Sequence, residues 1–171
     1  QSVVNYYNKK HEFCSAKEIL DWTLAKIGVD NFVLASSMSV EGQVLTDMLL
    51  KKNRNARILM IDTGRLNQET YDVMDWTNKH YRIQVEIVFP NADEVEVMVK
   101  KRGINLFYDS VESRKVCCEI RKVRPLQIKL KGLKAWMTGL KRCDSEQRTV
   151  LGKFEWDEKF NLFKINPIAD W

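Results

Sequence analysis

The sequence predicts an α/β fold built on a mostly parallel sheet, and three observations carry that prediction. Short stretches that are apolar throughout alternate along the chain with longer stretches of helical periodicity. The connections between them are short, and no apolar run of membrane length breaks the alternation. Residues 15–28 read as a helix, with Ser15 and Glu18 at capping-box spacing, Leu20, Leu24 and Ile27 on one face, and Gly28 after the last turn. NFVLASS at 31–37 reads as a buried strand and GQVLTDMLLKKN at 42–53 as the helix that follows it. RILMIDT at 57–63 is a second buried strand, followed by a helix over 67–81. QVEIVFP at 84–90 is a third strand, leading to a helix over 92–103 that ends on a glycine. KAWMTGL at 134–140 completes the series as a fourth strand.

Strands without a polar face are those that helices cover on both sides. Right-handed crossovers then bring the loop after each strand to one edge of the sheet, where open α/β sheets bind their ligands. Three loops are therefore the expected site: SSMSVEG (36–42), DTGRLNQ (62–68) and TGLKRCDSEQR (138–148).

The 171 residues suit one domain over 1–171, with no repeat, low-complexity tract or linker. A hydrophobic content of 44% with 30% charged residues is that of a soluble globular chain. The first residues carry no signal-peptide core, so a cytoplasmic protein with no membrane role is expected. The chain opens on Gln1 and stops at Trp171 in an apolar stretch, and both ends are expected to be cut. Net charge is +5, and ten of the 28 Lys and Arg residues fall between Arg114 and Arg142. Such a cluster attracts an anion, either a nucleic acid or a small phosphate- or sulfate-bearing ligand, or else it is a solvated helix face. Cysteines stand at 14, 117, 118 and 143. The adjacent pair argues against a disulfide framework and points to a metal centre or redox chemistry. Cys14 reads as a small buried hydrophobe, His11 and His80 as surface residues, and Trp22, Trp76, Trp136 and Phe107 as packing.

In the first loop the hydroxyls of Ser36, Ser37 and Ser39, together with helix N-terminal amides, suit an anionic group, although an ordinary polar turn explains them as well. The GxxxxGK[ST] spacing of a Walker A loop is not present there. In the second loop Thr63 and Gly64 allow close backbone approach and Arg65 offers a charge. The third contributes Lys141, Arg142 and Arg148, cations suited to phosphate or sulfate oxygens.

The order of these motifs resembles a known family. SSMSVEG, IDTGRLNQETYDVMD, FPNADEVEVMVKKRGINLFY and CCEIRKVRPLQIKLKGLKAWMTGLKR are similar to the adenylyl-sulfate reductases, relatives of the phosphoadenylyl-sulfate reductases. The likeness runs from about residue 12 to Trp171, and the CCxxRKxxPL block at 117–126 and DTGRLxxET at 62–70 are its most specific parts. It implies an adenine nucleotide α-hydrolase-like sheet in which the serine loop is a modified pyrophosphatase loop. It implies a nucleotide among Ser36, Ser37, Ser39, Thr63, Gly64 and Arg65, with its phosphosulfate neutralised by Lys122, Lys141, Arg142 and Arg148, and Lys122 supporting the chemistry. Cys117 and Cys118 become two of the four ligands of a [4Fe–4S] cluster.

In the family a C-terminal cysteine attacks the sulfur, AMP leaves, and thioredoxin or a similar dithiol releases sulfite from an enzyme thiosulfonate. The implied partners are adenylyl sulfate (APS) or its 3′-phosphorylated form (PAPS), a thioredoxin- or glutathione-type donor and a second copy of the chain in a homo-oligomer, with no nucleic acid and no membrane. The cysteine pair and the Arg65 of DTGRL favour adenylyl sulfate, since the enzymes of the phosphorylated substrate commonly carry DTGYL. A phosphoadenylyl-sulfate reductase and a non-catalytic nucleotide- or cluster-binding subunit are the alternatives. Three features depart from the family pattern. Its second cysteine pair and its terminal ECGLH segment are absent from these 171 residues, so no catalytic cysteine is assigned within them. RRxQS becomes Lys141-Arg142-Cys143-Asp144-Ser145, and Ser39 stands where glycine is frequent.

Overall fold

The computed structural model describes residues 2–171. Five strands run parallel: β1 (Phe32–Ala35), β2 (Ile58–Ile61), β3 (Glu86–Val88), β4 (Ala135–Met137) and β6 (Leu162–Ile165). β5 (Phe154–Asp157) lies antiparallel to β6, and the order across the sheet is β3-β2-β1-β4-β6-β5. The expected mostly parallel sheet with helices on both faces is thus observed. Side chains alternate across it. Phe32, Leu34, Ile58, Met60, Ala135 and Met137 enter one apolar cluster with residues of α2 (Ala16–Lys26), α3 (Val40–Lys52) and α4 (Gln68–Tyr81). Val33, Leu59 and Trp136 enter a second, on the opposite face, with Leu126 and Leu130 of α7 (Arg124–Leu130). Each fully buried Leu or Phe of this kind contributes about 1.5–3 kcal/mol.

The Ser15–Glu18 capping box forms: the Glu18 amide donates to Ser15 Oγ at 3.3 Å, and the Ser15 amide to Glu18 Oε2 at 2.7 Å. Five further elements, α1 (Ser2–Lys10), α6 (Val111–Cys118), α7, β5 and β6, carry no recognisable signal in the sequence. α1 has no buried residue and is anchored by Asn8, whose side-chain amide accepts from Phe154 N and donates to Phe154 O. That amide takes the place of a neighbouring strand at the edge of β5. α6 runs through a π-helical turn (Glu119–Val123) into α7. Pro125 has no N–H for the next α-helical bond, and the Arg124 amide reaches back five residues to the Glu119 carbonyl. The β5–β6 hairpin turns at Asn161, at φ 55°.

Two packing expectations are corrected. His11 is 8% exposed, enclosed by Tyr7, Trp22 and Phe154, rather than on the surface. Trp76 is 54% exposed, stacked on His80 rather than in the core. No described helix is long and apolar enough to cross a membrane.

Candidate functional site

Each of the three loops leaves the carboxyl end of a parallel strand, and together they enclose one cavity of about 510 Å³, within the range of small-ligand sites. In the first loop Ser39 caps α3: its Oγ accepts from the Gly42 amide at 3.5 Å and from Ser37 Oγ at 3.2 Å. Ser36 is buried, and its Oγ accepts from the Met38 amide at 3.1 Å, which holds Met38 at φ 60°. The first turn of α3 thereby borders the cavity beside the serines, with Glu41 and Gly42 among the lining residues, and a helix N-terminus suits an anion.

Gly42 makes this loop possible. A Cβ at 42 would collide with Ser36 Oγ. In Gly42→Ala, Ser36 must rotate and release Met38, a non-glycine residue in the left-handed region, from the bond that holds it there. The helix gains about 1 kcal/mol of propensity while the loop relaxes. Gly42→Ala is expected to unfold like the wild type yet loosen the first loop, read as faster amide hydrogen exchange at Met38.

In the second loop buried Asp62 organises the turn. It accepts from the Gly64 amide at 2.8 Å and from the Tyr71 hydroxyl at 2.9 and 3.0 Å, which raises the Tyr71 pKa. Gly64 sits at φ 70°, where a side chain would be strained. The Thr63 carbonyl accepts from Nη1 of buried Arg121 at 2.7 Å.

The third loop begins at buried Thr138 and is tied to the first by Lys141, whose Nζ lies 2.6 Å from Glu41 Oε1. Lys141 holds the Glu41 carboxyl down to about 2 and has its own pKa raised in return. Asp144 pairs with Arg148 at 3.0 Å. On the far edge of the sheet Glu86 is likewise held to about 2, by Arg57 and Lys129. Groups with a depressed folded pKa stabilise fully above the ordinary value of 4.5 and lose that contribution as pH falls towards 2. The pKa of His11 is lowered from 6.5, chiefly by burial, so it adds a decline that begins below 6.5. Urea midpoints are therefore expected to fall shallowly from pH 6.5 and more steeply between about 4.5 and 2; a flat profile would contradict these contacts.

Around the cavity, Leu59, Leu66, Leu126 and Trp136 form an apolar wall, while Thr63, Thr70 and Thr138 contribute hydroxyls. Lys122 and Arg148 are the cations among its lining residues, and Glu41 and Asp144 the acids. The expected residues Ser36, Ser37, Ser39, Thr63, Lys122 and Arg148 line it together. Gly64, Arg65, Lys141 and Arg142 are not among its lining residues. Gly64 serves the turn, and Lys141 is turned to Glu41. Arg65 donates to Asn105 Oδ1 and lies 4.9 Å over the Phe107 ring. Arg142 donates from Nε to the Leu151 carbonyl and borders a separate depression with Asn8 and Lys9. Thr70, Thr138, Glu41 and Asp144 line the cavity without having been candidates in the sequence, and Trp136, read there as a packing residue, lines it too. Thr138 and Asp144 lay within the expected third loop, whereas nothing in the pattern distinguished Trp136 or Thr70 from packing residues.

Beside the cavity runs a groove lined by Arg65, Arg114, Cys117, Cys118, Arg121 and Lys122, and Lys122 borders both. Cys117 is buried against Met98 and Leu106, while Cys118 is exposed. A four-iron cluster takes four thiolates, and this pair offers two. Cys14 lies against His11, and Cys143 donates to the Trp171 carbonyl, so neither adds to the pair. Among the described residues no three or more Cys, His, Asp or Glu side chains gather as for a metal. The pair fits half a ligand set, and the described residues do not complete it. Elsewhere in the basic stretch, Arg124 pairs with Glu94 and Lys129 with Glu86.

Residues 31–171 match the family described as Phosphoadenosine phosphosulfate reductase domain. An adenosine 5′-phosphosulfate reductase of Allochromatium vinosum is 40% identical over 84% of this chain and 56% of its own length. One from Burkholderia cepacia is 41% identical over 94% of this chain and 65% of its own length. The chain thus spans between half and two thirds of these relatives. A crystal structure of phosphoadenylyl-sulfate reductase from Candida auris, a phosphate complex, superposes with a TM-score of 0.80 at 26% identity, over 100% of this chain and 80% of that one.

Proposed function

The chain belongs to the phosphoadenosine phosphosulfate reductase domain family, and from that premise we propose that its cavity holds adenylyl sulfate for thiol-dependent reduction to sulfite and AMP in sulfate assimilation. One observation carries the reading: the three post-strand loops close around a single cavity lined by apolar side chains, by hydroxyl-bearing residues, by the first turn of α3 and by two cations. The apolar wall suits a purine, and the amides of α3 with Lys122 and Arg148 suit a phosphosulfate. The attacked sulfur carries anionic oxygens, so a thiolate approaches it only when nearby cations offset the repulsion. Thiolate attack forms an S–S bond to the sulfur and breaks its bond to the phosphate oxygen, releasing AMP. A second thiol, from thioredoxin or a similar dithiol, then takes the enzyme sulfur into a disulfide and frees sulfite. The chain is in this reading an oxidoreductase acting on a sulfur group.

Adenylyl sulfate is preferred over its 3′-phosphorylated form because Arg148 is already paired with Asp144 and Lys141 with Glu41, which leaves Lys122 as the cavity's one cation without a carboxylate partner among the described residues. A further phosphate would add about two negative charges there. Cys117 and Cys118 are assigned two ligands of a [4Fe–4S] cluster, whose electrostatics would act on the sulfate from the groove that Lys122 shares. The four free thiols suit a reducing compartment such as the cytoplasm. Anaerobic calorimetry with adenylyl sulfate and phosphoadenylyl sulfate tests the substrate, with sulfite release followed in the full-length protein. Tighter binding of the phosphorylated form would overturn the choice, and Lys122→Ala should weaken adenylyl sulfate more than AMP.

A further inference from the structure

The segment INPIADW lies outside the three loops, yet it holds the third of them in place. The Arg142 amide donates to the Ala169 carbonyl at 2.8 Å, and the Thr138 hydroxyl donates to Asn166 Oδ1 at 2.5 Å. Asn166 is fully buried, and its Nδ2 donates to the Gly152 carbonyl at 2.8 Å and to Glu155 Oε2 at 3.1 Å. Both amide hydrogens are therefore engaged, and Oδ1 is fixed as an acceptor. A hydroxyl has one hydrogen and two lone pairs. The hydrogen of Thr138 points to Asn166, and one lone pair accepts the Leu140 amide at 3.4 Å. Because Thr138 lines the cavity, what it can offer a ligand there is an acceptor and not a donor.

Its position narrows the ligand group. The next residue, Gly139, packs on the first turn of α3: a Cβ there would stand 3.0 Å from Glu41 Cβ and 3.5 Å from the Gly42 amide nitrogen. Thr138 thus stands one residue from the close contact between the third loop and the first turn of α3, where an anion is expected to sit. On a nucleotide, the hydrogen-bond donor closest to the phosphate is a sugar hydroxyl. We propose that Asn166 is a positioning residue that fixes Thr138 as the acceptor for a ribose hydroxyl, so that the site favours a sugar with that hydroxyl free. An esterified hydroxyl has no hydrogen to give and gains nothing from Thr138. The inference rests on the nucleotide reading of the cavity and assigns the sugar's partner within it.

The test is a binding cycle with AMP, 2′-deoxy-AMP and 3′-deoxy-AMP, measured by calorimetry on wild type, Thr138→Val, Thr138→Ser, Asn166→Ala and the Thr138→Val/Asn166→Ala double variant. One deoxynucleotide should bind wild type about tenfold more weakly than AMP. Thr138→Val should lose a similar factor for AMP and cease to discriminate that pair, while Thr138→Ser retains the discrimination. Asn166→Ala should lose the discrimination too, and the double variant should bind no more weakly than Asn166→Ala alone, as for residues acting through one contact. Thr138→Val keeps the side chain's shape and decides the matter even should Asn166→Ala fail to fold. Discrimination that survives Thr138→Val would overturn this inference and leave the nucleotide reading standing. A wild-type chain that binds no AMP would overturn the nucleotide reading, and this inference with it.

Discussion

Lys153→Met is expected to lower the unfolding free energy by about 3 kcal/mol, read as a shift of the urea midpoint with little change in slope. The Lys153 side chain is 3% exposed, and its ammonium reaches the Glu12 carbonyl at 2.8 Å, the Cys14 carbonyl at 2.7 Å and Asp170 Oδ2 at 2.8 Å. Met fills the same slot and offers no hydrogen. Asp170 is 41% exposed at its side chain and rehydrates cheaply, so the ion pair itself is the smaller part of the loss. The larger part is two carbonyls left without their donor, at about 1–2 kcal/mol each. Those carbonyls lie in the link between α1 and α2, and Asp170 lies in the INPIADW segment. One ammonium therefore fastens both ends of the described chain to the β5 edge. A loss below about 1 kcal/mol would mean that water replaces the ammonium without cost.

How far the fold could be read from the sequence depended on how apolar each segment is. β1, β2 and β4 are buried on both faces, so their residues form the unbroken apolar runs that betray a strand. The hairpin of β5 and β6 was missed because its residues alternate with Glu155 and Lys164, which pair with each other, and because an edge needs only one apolar face. The helices around Cys117 were missed for a different reason. Their buried positions, Cys117, Arg121, Pro125, Leu126 and Leu130, follow helical spacing, but an arginine and a proline occupy two of them. Pattern reading counts such residues as surface or as breakers.

The site was legible to the level of loops and not of side chains. Strand order alone brings residues 36–42, 62–68 and 138–148 together, as right-handed crossovers require. Whether a basic residue in a loop faces the cavity depends on partners distant in sequence. Arg65 is drawn off by Phe107 and Asn105, Arg142 by the Leu151 carbonyl and Lys141 by Glu41. None of these partners is fixed by local spacing.

Arg121→Met is expected to leave stability within about 1 kcal/mol of wild type while weakening AMP binding about thirtyfold, close to 2 kcal/mol. Arg121 is 8% exposed, and among the described residues no carboxylate pairs with it. Holding a guanidinium away from water without a counter-charge opposes folding, whereas its bond to the Thr63 carbonyl favours folding by a similar amount. Met removes both terms, so the net effect on stability is small. The binding terms share one sign. Arg121 anchors the turn that presents Thr63 to the cavity, and its Nη1 would lie 3.2 Å from a Cβ at Gly64, so the turn is shaped around it. Its charge also lies beside the region assigned to an anion, where one cation is worth about 1–2 kcal/mol at an effective dielectric of 20. Urea unfolding and calorimetry on the same variant separate the two roles. A stability loss of about 3 kcal/mol with unchanged AMP affinity would make Arg121 a packing residue of the α6–α7 junction. The opposite outcome identifies a buried charge to which the stability of the fold is indifferent, where ligand binding and not folding accounts for its presence.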